Sequence, residues 1–195
     1  MTPVRRTRRD ENAERTREAL LEHARVELTE RGYAATSIDA IAAAARMTKG
    51  AVYHHFKNKR ELFAAVYESL ARELDVTIAA RMDAATDPMS RVLAGIDGFL
   101  DGADDPSVHA IMLRDGMAVL AGQCRVIDDR YFLDRLTREL IHFRGDDDLT
   151  PHLARIVLAA LIEAGQILAE SDDLDRTRAE LRQALVLLLA SLARS

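Results

Sequence analysis

Hydrogen-bond donors suited to phosphates and base edges are concentrated in one short stretch of this sequence, between residues 48 and 59. Residues 48–51, Thr-Lys-Gly-Ala, are placed to form the first turn of a helix, where the helix dipole favours a phosphate or a base acceptor and small residues allow close approach. Tyr53, His54 and Lys59 follow with side chains that can donate to phosphates. This chemistry suits contact with a nucleic-acid duplex.

Two short helices joined by a tight turn must position these donors. A helical apolar pattern from Ile38 to Ala45 stops at Arg46, and a second pattern begins after Thr48,. Residues 36–39 have the spacing of a capping box, and Thr48 is predicted to cap the second helix. The stretch 36–56 therefore predicts a helix-turn-helix, whose second helix can enter a major groove.

A structural alternative exists for the same residues, which is an ordinary helical corner with Tyr53 and His55 packed on neighbours. The combined order of caps, turn and donors favours the DNA-binding interpretation. Asn58 to Glu61 add a further cap signature, which predicts a third helix directly after the pair,.

This stretch resembles the N-terminal signature of TetR-family transcriptional regulators. The resemblance is carried by Thr36, Ile41, Ala42, Ala45, Thr48, Gly50, Tyr53, His55, Phe56, Lys59 and Leu62. It implies that bases are faced by Thr48, Lys49, Gly50 and Ala51. It implies that phosphates are held by Thr36, Tyr53, His54 and Lys59.

The sequence departs from the family pattern at Arg46, where the family usually has glycine after the alanine of the turn. That position suits a positive φ. Either Arg46 adopts it, at a cost on the order of 1 kcal/mol, or the turn differs from the family's.

Composition favours an all-α protein, since Ala and Leu are abundant, aromatic residues make up only 5% and Trp is absent,. The one cysteine, Cys124, excludes an intrachain disulfide and supplies no metal cluster, so we expect a reducing compartment and neither metal nor cofactor,. No run of about eighteen uncharged apolar residues occurs. We therefore expect a cytoplasmic protein without a membrane partner.

Charge is distributed unevenly along the chain, whose net charge is −5. Residues 1–60 carry 13 Lys and Arg against 8 Asp and Glu, whereas residues 61–195 carry 14 against 24. The basic part is the part with the predicted helix-turn-helix, which supports double-stranded DNA as a partner.

Two domains are predicted. Residues 1–58 would form a three-helix DNA-binding domain, with a helix over 11–31 behind the reading pair and a basic arm over 1–10 that either lies along DNA or serves as a solubilising tail. A continuous helix from Lys59 to Met82 would join it to a helical body over 59–195. Asp-Pro or Thr-Pro pairs at residues 87, 105 and 150 predict helix starts in that body,.

The last two helices, predicted over 151–170 and 175–194, carry more apolar residues than one core can cover. This favours a homodimer interface, with a fully buried helix in a monomer as the alternative. The interface residues are predicted to be Leu161, Ala164, Leu168, Leu181, Leu185, Leu188 and Leu192.

A small-molecule site is expected in the same body, because the family resemblance implies an effector pocket there. Polar and thioether side chains among apolar ones suggest its lining, although each could equally be a surface residue or a paired one, such as Arg114 with Asp115. The candidates are His109, Met112, Arg114, Met117, Gln123, His142 and Glu163.

The function implied is a homodimeric repressor that binds a palindromic operator and is released by a small-molecule effector. The alternative is a helical enzyme or small-molecule-binding protein in which the helix-turn-helix is incidental. An enzyme would need a catalytic motif such as HExxH, GxSxG, a P-loop or GxGxxG, and the sequence contains none of these,.

Overall fold

The computed structural model describes residues 8–192, apart from the side chains of residues 9, 10, 143 and 144, and every regular element in this range is a helix. The predicted all-α class is confirmed. Two compact units divide the chain, with the boundary between Val66 and Tyr67. That boundary falls inside α4 (Lys59–Asp83), the continuous helix expected from the sequence.

The N-terminal unit contains α1 (Arg8–Ala35), α2 (Ile38–Ala44), α3 (Lys49–His55) and the first turns of α4. Helix α1 is interrupted at Gly32, whose φ of 72° suits glycine,. The helix begins at Arg8, ahead of the predicted start at residue 11, so the end of the predicted basic arm is helical. Residues 1–7 of that arm lie outside the described residues.

Side chains from all four helices form the core of this unit. The Tyr33 ring meets the Phe63 ring edge-on, with 5.1 Å between centroids,. The buried apolar residues are Leu20, Ala24, Leu28, Ile41, Val52, Phe56, Leu62 and Phe63. Burial on this scale fixes α2 and α3 against α1, which leaves their other faces to solvent.

Side-chain caps define where these helices begin. Thr48 caps α3 and Asn58 caps α4, as predicted, each by accepting from a backbone N–H three residues ahead,. The capping box expected to start at Thr36 is wrong, because Ser37 caps α2. Thr36 is instead buried behind the helix start.

The C-terminal unit contains the rest of α4 and all later elements. These are α5 (Pro88–Gly102), a π-helical segment π1 (Val108–Asp115), α6 (Gly116–Leu120), α7 (Gly122–Asp128), a second π-helical segment π2 (Asp129–Leu133), α8 (Asp134–Arg144), α9 (Thr150–Ala169) and α10 (Leu174–Leu192). Its largest apolar cluster joins α4, α5, α8, α9 and α10. Arg91 and Glu139 form an ion pair beside that cluster, with 2.9 Å between Nη2 and Oε1.

The helix starts predicted from Asp-Pro and Thr-Pro pairs are met at α5 but not at α9. Asp87 caps α5 directly before Pro88,. Ala121 takes a φ of 49° and separates α6 from α7. Thr150 is not the cap of α9, because Asp147 accepts from the backbone N–H of Thr150 at 3.0 Å and Thr150 is fully buried.

Helix α9 is long and apolar enough to cross a membrane by length and composition alone, with a mean hydropathy of 1.5 over eighteen residues. A core helix passes the same test, and one face of α9 is buried within this unit through Ala154, Val157, Ala164 and Leu168.

Candidate DNA-binding helix and C-terminal cavity

In the turn between α2 and α3, Arg46 adopts the left-handed conformation, with a φ of 55°, which is the first of the two alternatives left open by the sequence. Backbone bonds fix it, since the N–H of Arg46 donates to the carbonyl of Ala43 at 3.0 Å and that of Met47 donates to Ala42 at 2.8 Å. The strain of a non-glycine residue there is on the order of 1 kcal/mol. The chain therefore keeps the family's turn without its glycine.

The first turn of α3 is presented to solvent. Val52 is fully buried and anchors the helix, whereas Thr48, Lys49 and Gly50 are exposed. A Cβ built on Gly50 would have only the Thr48 hydroxyl nearby, at 3.9 Å. The helix thus offers a narrow, open N-terminal end, which is the part that a major-groove helix presents to base edges.

Lys49 is held by Asp39 of the preceding helix, with 2.8 Å between Nζ and Oδ2. This hydrogen bond and the charge of Asp39 raise the pKa of Lys49 above its ordinary value. Because both side chains are more than half exposed, the pair adds little stability,. The pair does place the Asp39 carboxylate beside the Lys49 ammonium that would contact bases.

Lys59 has an anchoring role within the N-terminal unit. Its ammonium donates to the carbonyls of Tyr33, at 2.7 Å, and Thr36, at 2.8 Å, and lies 4.1 Å from the centroid of the Tyr33 ring. These contacts tie the start of α4 to the end of α1. An ammonium has three protons, so one remains for a phosphate.

The Thr36 side chain does not fit the phosphate contact expected for it. It is buried, and its hydroxyl donates to the carbonyls of Gly32, at 2.8 Å, and Glu27, at 3.1 Å. A hydroxyl has one proton, which these carbonyls already share. Thr36 therefore positions the end of α1, and the predicted contact between its side chain and a phosphate is wrong.

Tyr53 and His54, the other expected phosphate donors, are exposed on α3. His55 is half-buried, and burial, followed by the charges of His54 and Arg17, lowers its pKa. The His55 ring lies beside that of Phe56, over which the Arg17 guanidinium also lies, 5.2 Å from the ring centroid. His55 thus belongs to the packing of the helix corner.

A cavity of about 360 Å³ lies within the C-terminal unit, between α4, the 112–129 segment and α9. Three of the predicted ligand residues line it, namely Met112, Met117 and Glu163. His109 and Arg114 line a neighbouring depression that shares Met117. Gln123 and His142 are exposed and line neither this cavity nor the neighbouring depression.

Arg114 forms the alternative pair considered from the sequence, with 2.9 Å between its Nε and Asp115 Oδ1. The cavity also has lining residues that sequence reasoning missed. These are Tyr67, Cys124, Arg125, Asp128, Asp129, Arg155, Leu158, Ala159, Ile162 and Gln166. Asp128 is the most unusual of them, because its carboxylate is buried and Tyr67 Oη donates to both of its oxygens, at 2.9 and 3.1 Å.

The residues predicted for a dimer interface divide into two groups. Ala164, Leu168 and Leu185 are buried within their own unit, so they do not present a face to a second chain. Leu161, Leu181, Leu188 and Leu192 are half-buried. The exposed apolar side chains of α9 and α10 include Ile156, Ala159, Ile167, Leu174, Ala179, Ala184, Leu187 and Ala190.

Comparison with known proteins places both units in one family. Residues 20–66 match the model of bacterial regulatory proteins of the tetR family, and residues 89–192 match a tetracyclin repressor-like C-terminal domain. A crystal structure of a TetR-family transcriptional regulator from Pectobacterium atrosepticum superposes with a TM-score of 0.83 at 35% identity, covering 97% of this chain and 99% of that one.

Curated relatives match over a shorter stretch. The Transposon Tn10 TetC protein of Escherichia coli is 36% identical over 110 residues, which are 56% of this chain and 55% of that protein. The regulator TtgR of Pseudomonas putida is 39% identical over 87 residues, 44% of this chain and 40% of TtgR. The chain thus spans about half or less of the length of these relatives. With the two matched domains and the helix-turn-helix geometry, it belongs to the TetR family of DNA-binding transcriptional regulators.

Proposed function

We propose that the chain acts in the cytoplasm as a homodimeric repressor, which binds a palindromic operator through α3 and is released by a small-molecule effector bound in the C-terminal unit. The observation that carries the DNA-binding part is the exposed first turn of α3, capped by Thr48 and anchored by the buried Val52. The cavity beside Asp128 supports the effector part.

The DNA contacts are assigned by exposure and chemistry. Thr48, Lys49, Gly50 and Ala51 face bases, because they form the first turn of a helix that can enter a groove; the first three are exposed and Ala51 is half-buried,. Tyr53, His54 and the remaining proton of Lys59 hold phosphates. Base contacts specify and phosphate contacts position, so only the first group should set operator preference.

The dimer is proposed to form through the exposed faces of α9 and α10, not through the residues first expected. Ile156 and Leu187 are 58% and 64% exposed, although both are large and apolar. Two reading helices one helical turn of DNA apart, ~34 Å, then bind a palindrome together. A helix pair with this exposed face gives a second copy of the chain an apolar surface to cover.

Release by an effector is proposed to act through α4, which begins at Lys59 beside the reading helices and continues to Asp83 in the C-terminal unit. A ligand that binds the DNA-incompatible conformation more tightly by about 2.7 kcal/mol would lower DNA affinity about a hundredfold. The coupling is reciprocal, so operator DNA must weaken effector binding by the same factor.

The experiment that tests the DNA-binding part starts by selecting operator duplexes with the full chain from a random pool. Affinities of Lys49→Ala and Lys57→Ala for the operator and for random duplex are then measured over a range of salt concentrations. Lys57 is a matched control, since it is exposed and lies beyond the end of α3. We expect Lys49→Ala to lower the ratio of operator to random affinity and Lys57→Ala to leave it unchanged. Equal ratios would remove Lys49 from the base-reading residues, and failure to bind duplex DNA at low salt would refute the function.

A further inference from the structure

One carboxylate of the cavity wall, that of Asp128, forms no ion pair with the described Lys and Arg side chains. Asp128 is only 6% exposed, and its hydrogen bonds come from a single hydroxyl, that of Tyr67. No Lys or Arg among residues 8–192 whose side chains are described forms an ion pair with it. A buried carboxylate normally requires such a partner, because removing its charge from water is costly.

The electrostatics of neighbouring groups agree with this geometry. Burial, and then the charge of Asp129, raise the pKa of Asp128 to about 6 in spite of the Tyr67 hydrogen bond. Burial, and then the charge of Asp128, raise the pKa of Tyr67 and of the Cys124 thiol. The wall therefore holds a titratable carboxylate that forms no ion pair with the described Lys and Arg side chains.

The cationic residues of the wall are engaged or exposed. Arg155 donates to both oxygens of Asp129, each at 2.9 Å. Arg125 is exposed, as is Glu163. The lining as a whole therefore contains three carboxylates against two guanidinium groups, and the buried member of the set is a carboxylate.

The rest of the wall suits an apolar body of small-molecule size. Met112, Met117, Leu158 and Ile162 supply thioether and aliphatic surface, and thioethers adapt to irregular ligands,. A volume of about 360 Å³ lies within the range of small-molecule sites,. The Tyr67 ring is seated against Gly116, where an added Cβ would come within 2.6 Å of Cε2, so glycine is needed to hold the ring in this wall.

We propose that this cavity binds a lipophilic monocation, an amine or quaternary ammonium whose charged head pairs with Asp128 and whose apolar body lies against Met112, Met117, Leu158 and Ile162. The proposal rests on the function proposed above, because it names the chemical class of the effector. The charged head of the ligand would form the ion pair that Asp128 does not form with the described side chains.

The test compares ligands that differ in charge but not in shape. Benzyltrimethylammonium, its neutral isostere neopentylbenzene and the anion phenylacetate are titrated into the full chain without DNA, by calorimetry or thermal shift. The variants are Asp128→Asn, which keeps an acceptor for Tyr67, and Asp172→Asn, a control that removes one exposed carboxylate outside the cavity. We expect the cation to bind the native chain at least about tenfold more tightly than the isostere, which corresponds to a difference in binding free energy of about 1.4 kcal/mol. Asp128→Asn should abolish this preference and Asp172→Asn should keep it.

A second measurement needs no variant. Affinity of the native chain for the cation should rise between pH 5 and pH 7.5 as Asp128 ionises, while affinity for neopentylbenzene stays constant. The other titratable or charged groups of the wall are Tyr67, Cys124, Arg125, Asp129, Arg155 and Glu163.

Three results would overturn the proposal: equal binding of cation and isostere, tighter binding of phenylacetate, or cation binding that Asp128→Asn and pH leave unchanged. Because these titrations contain no DNA, they do not depend on the proposed regulation. A repeat with operator duplex tests that separately. If the cation binds through Asp128 yet leaves operator affinity unchanged, the cavity assignment stands and the effector role is refuted.

Discussion

Replacing Gly50 by alanine separates the stability of α3 from its approach to DNA. In the free protein the new methyl group would have only the Thr48 hydroxyl nearby, at 3.9 Å, which is an ordinary contact. Gly50 lies inside a helix, where alanine is favoured over glycine by up to about 1 kcal/mol. We therefore expect Gly50→Ala to fold as well as the native chain, or to melt at a slightly higher temperature.

DNA binding should respond in the opposite direction if the backbone of α3 approaches the base edges at Gly50. A methyl group inserted into a close-packed contact typically costs about 1–3 kcal/mol. Operator affinity should then fall by about 5- to 150-fold, because the groove wall cannot withdraw as a flexible side chain would. Binding to random duplex, which depends on phosphate contacts, should fall less.

The assay is fluorescence anisotropy with the selected operator and with random duplex, together with thermal melting followed by circular dichroism. Gly122→Ala is the matched control, since an added Cβ there has no neighbour within 4 Å and the residue lies in the C-terminal unit. Operator affinity of Gly50→Ala equal to that of the control would refute the placement of Gly50 against DNA.

Three further perturbations follow from single contacts. Asp39→Asn releases Lys49, so affinity for random duplex should rise and its salt dependence should steepen by about one counterion, with thermal stability unchanged,. Unchanged DNA binding would show that the Lys49–Asp39 pair opens freely when DNA binds. Leu187→Glu should give folded monomers in sedimentation, because the Leu187 side chain is 64% exposed. Leu185→Glu should instead lose helical circular dichroism, because the Leu185 side chain is only 5% exposed. Dimers of the Leu187 variant would place the interface elsewhere. Asp128→Asn should remove a pH dependence from the free energy of unfolding. With its folded pKa raised to about 6, Asp128 contributes stability that is present below about pH 4 and is lost as the pH rises through 6,. In chemical denaturation the variant should therefore be more stable than the native chain at pH 8, by on the order of 2–3 kcal/mol, and equal to it at pH 4. Parallel curves of unfolding free energy against pH for the two proteins would contradict the burial argument.

The N-terminal unit could be predicted closely from the sequence because its determinants are local. The caps at Thr48 and Asn58 are set by residues within a few positions of each other. At Arg46 the sequence left two alternatives open, and the structure has the first of them, a positive φ of 55°. The predictions were wrong where a contact from outside the local motif sets the conformation. The Thr36 hydroxyl is an example, because it donates to the backbone carbonyls of Glu27 and Gly32.

Helical periodicity alone could not assign the two faces of α9 and α10. Both helices carry apolar residues on more than one side, and the sequence stripe through Ala164, Leu168 and Leu185 is the one that packs inside the unit. The face left exposed, with Ile167 and Leu187, has fewer apolar residues and gives a weaker periodic signal. An interface is visible in sequence only once the residues required by the intramolecular core have been subtracted.

The cavity was least accessible to sequence reasoning because its chemistry depends on what is missing near Asp128. Charged residues surround this position along the chain, with Arg125 three residues before it and Arg130 two residues after. Either arginine could have neutralised it, but Arg130 pairs with Glu68 and Arg125 is exposed. Arg155, from another helix, is bound by Asp129. Only the folded arrangement shows that each of these guanidinium groups has another environment, and that isolation of Asp128 is the reason for proposing a cation site there.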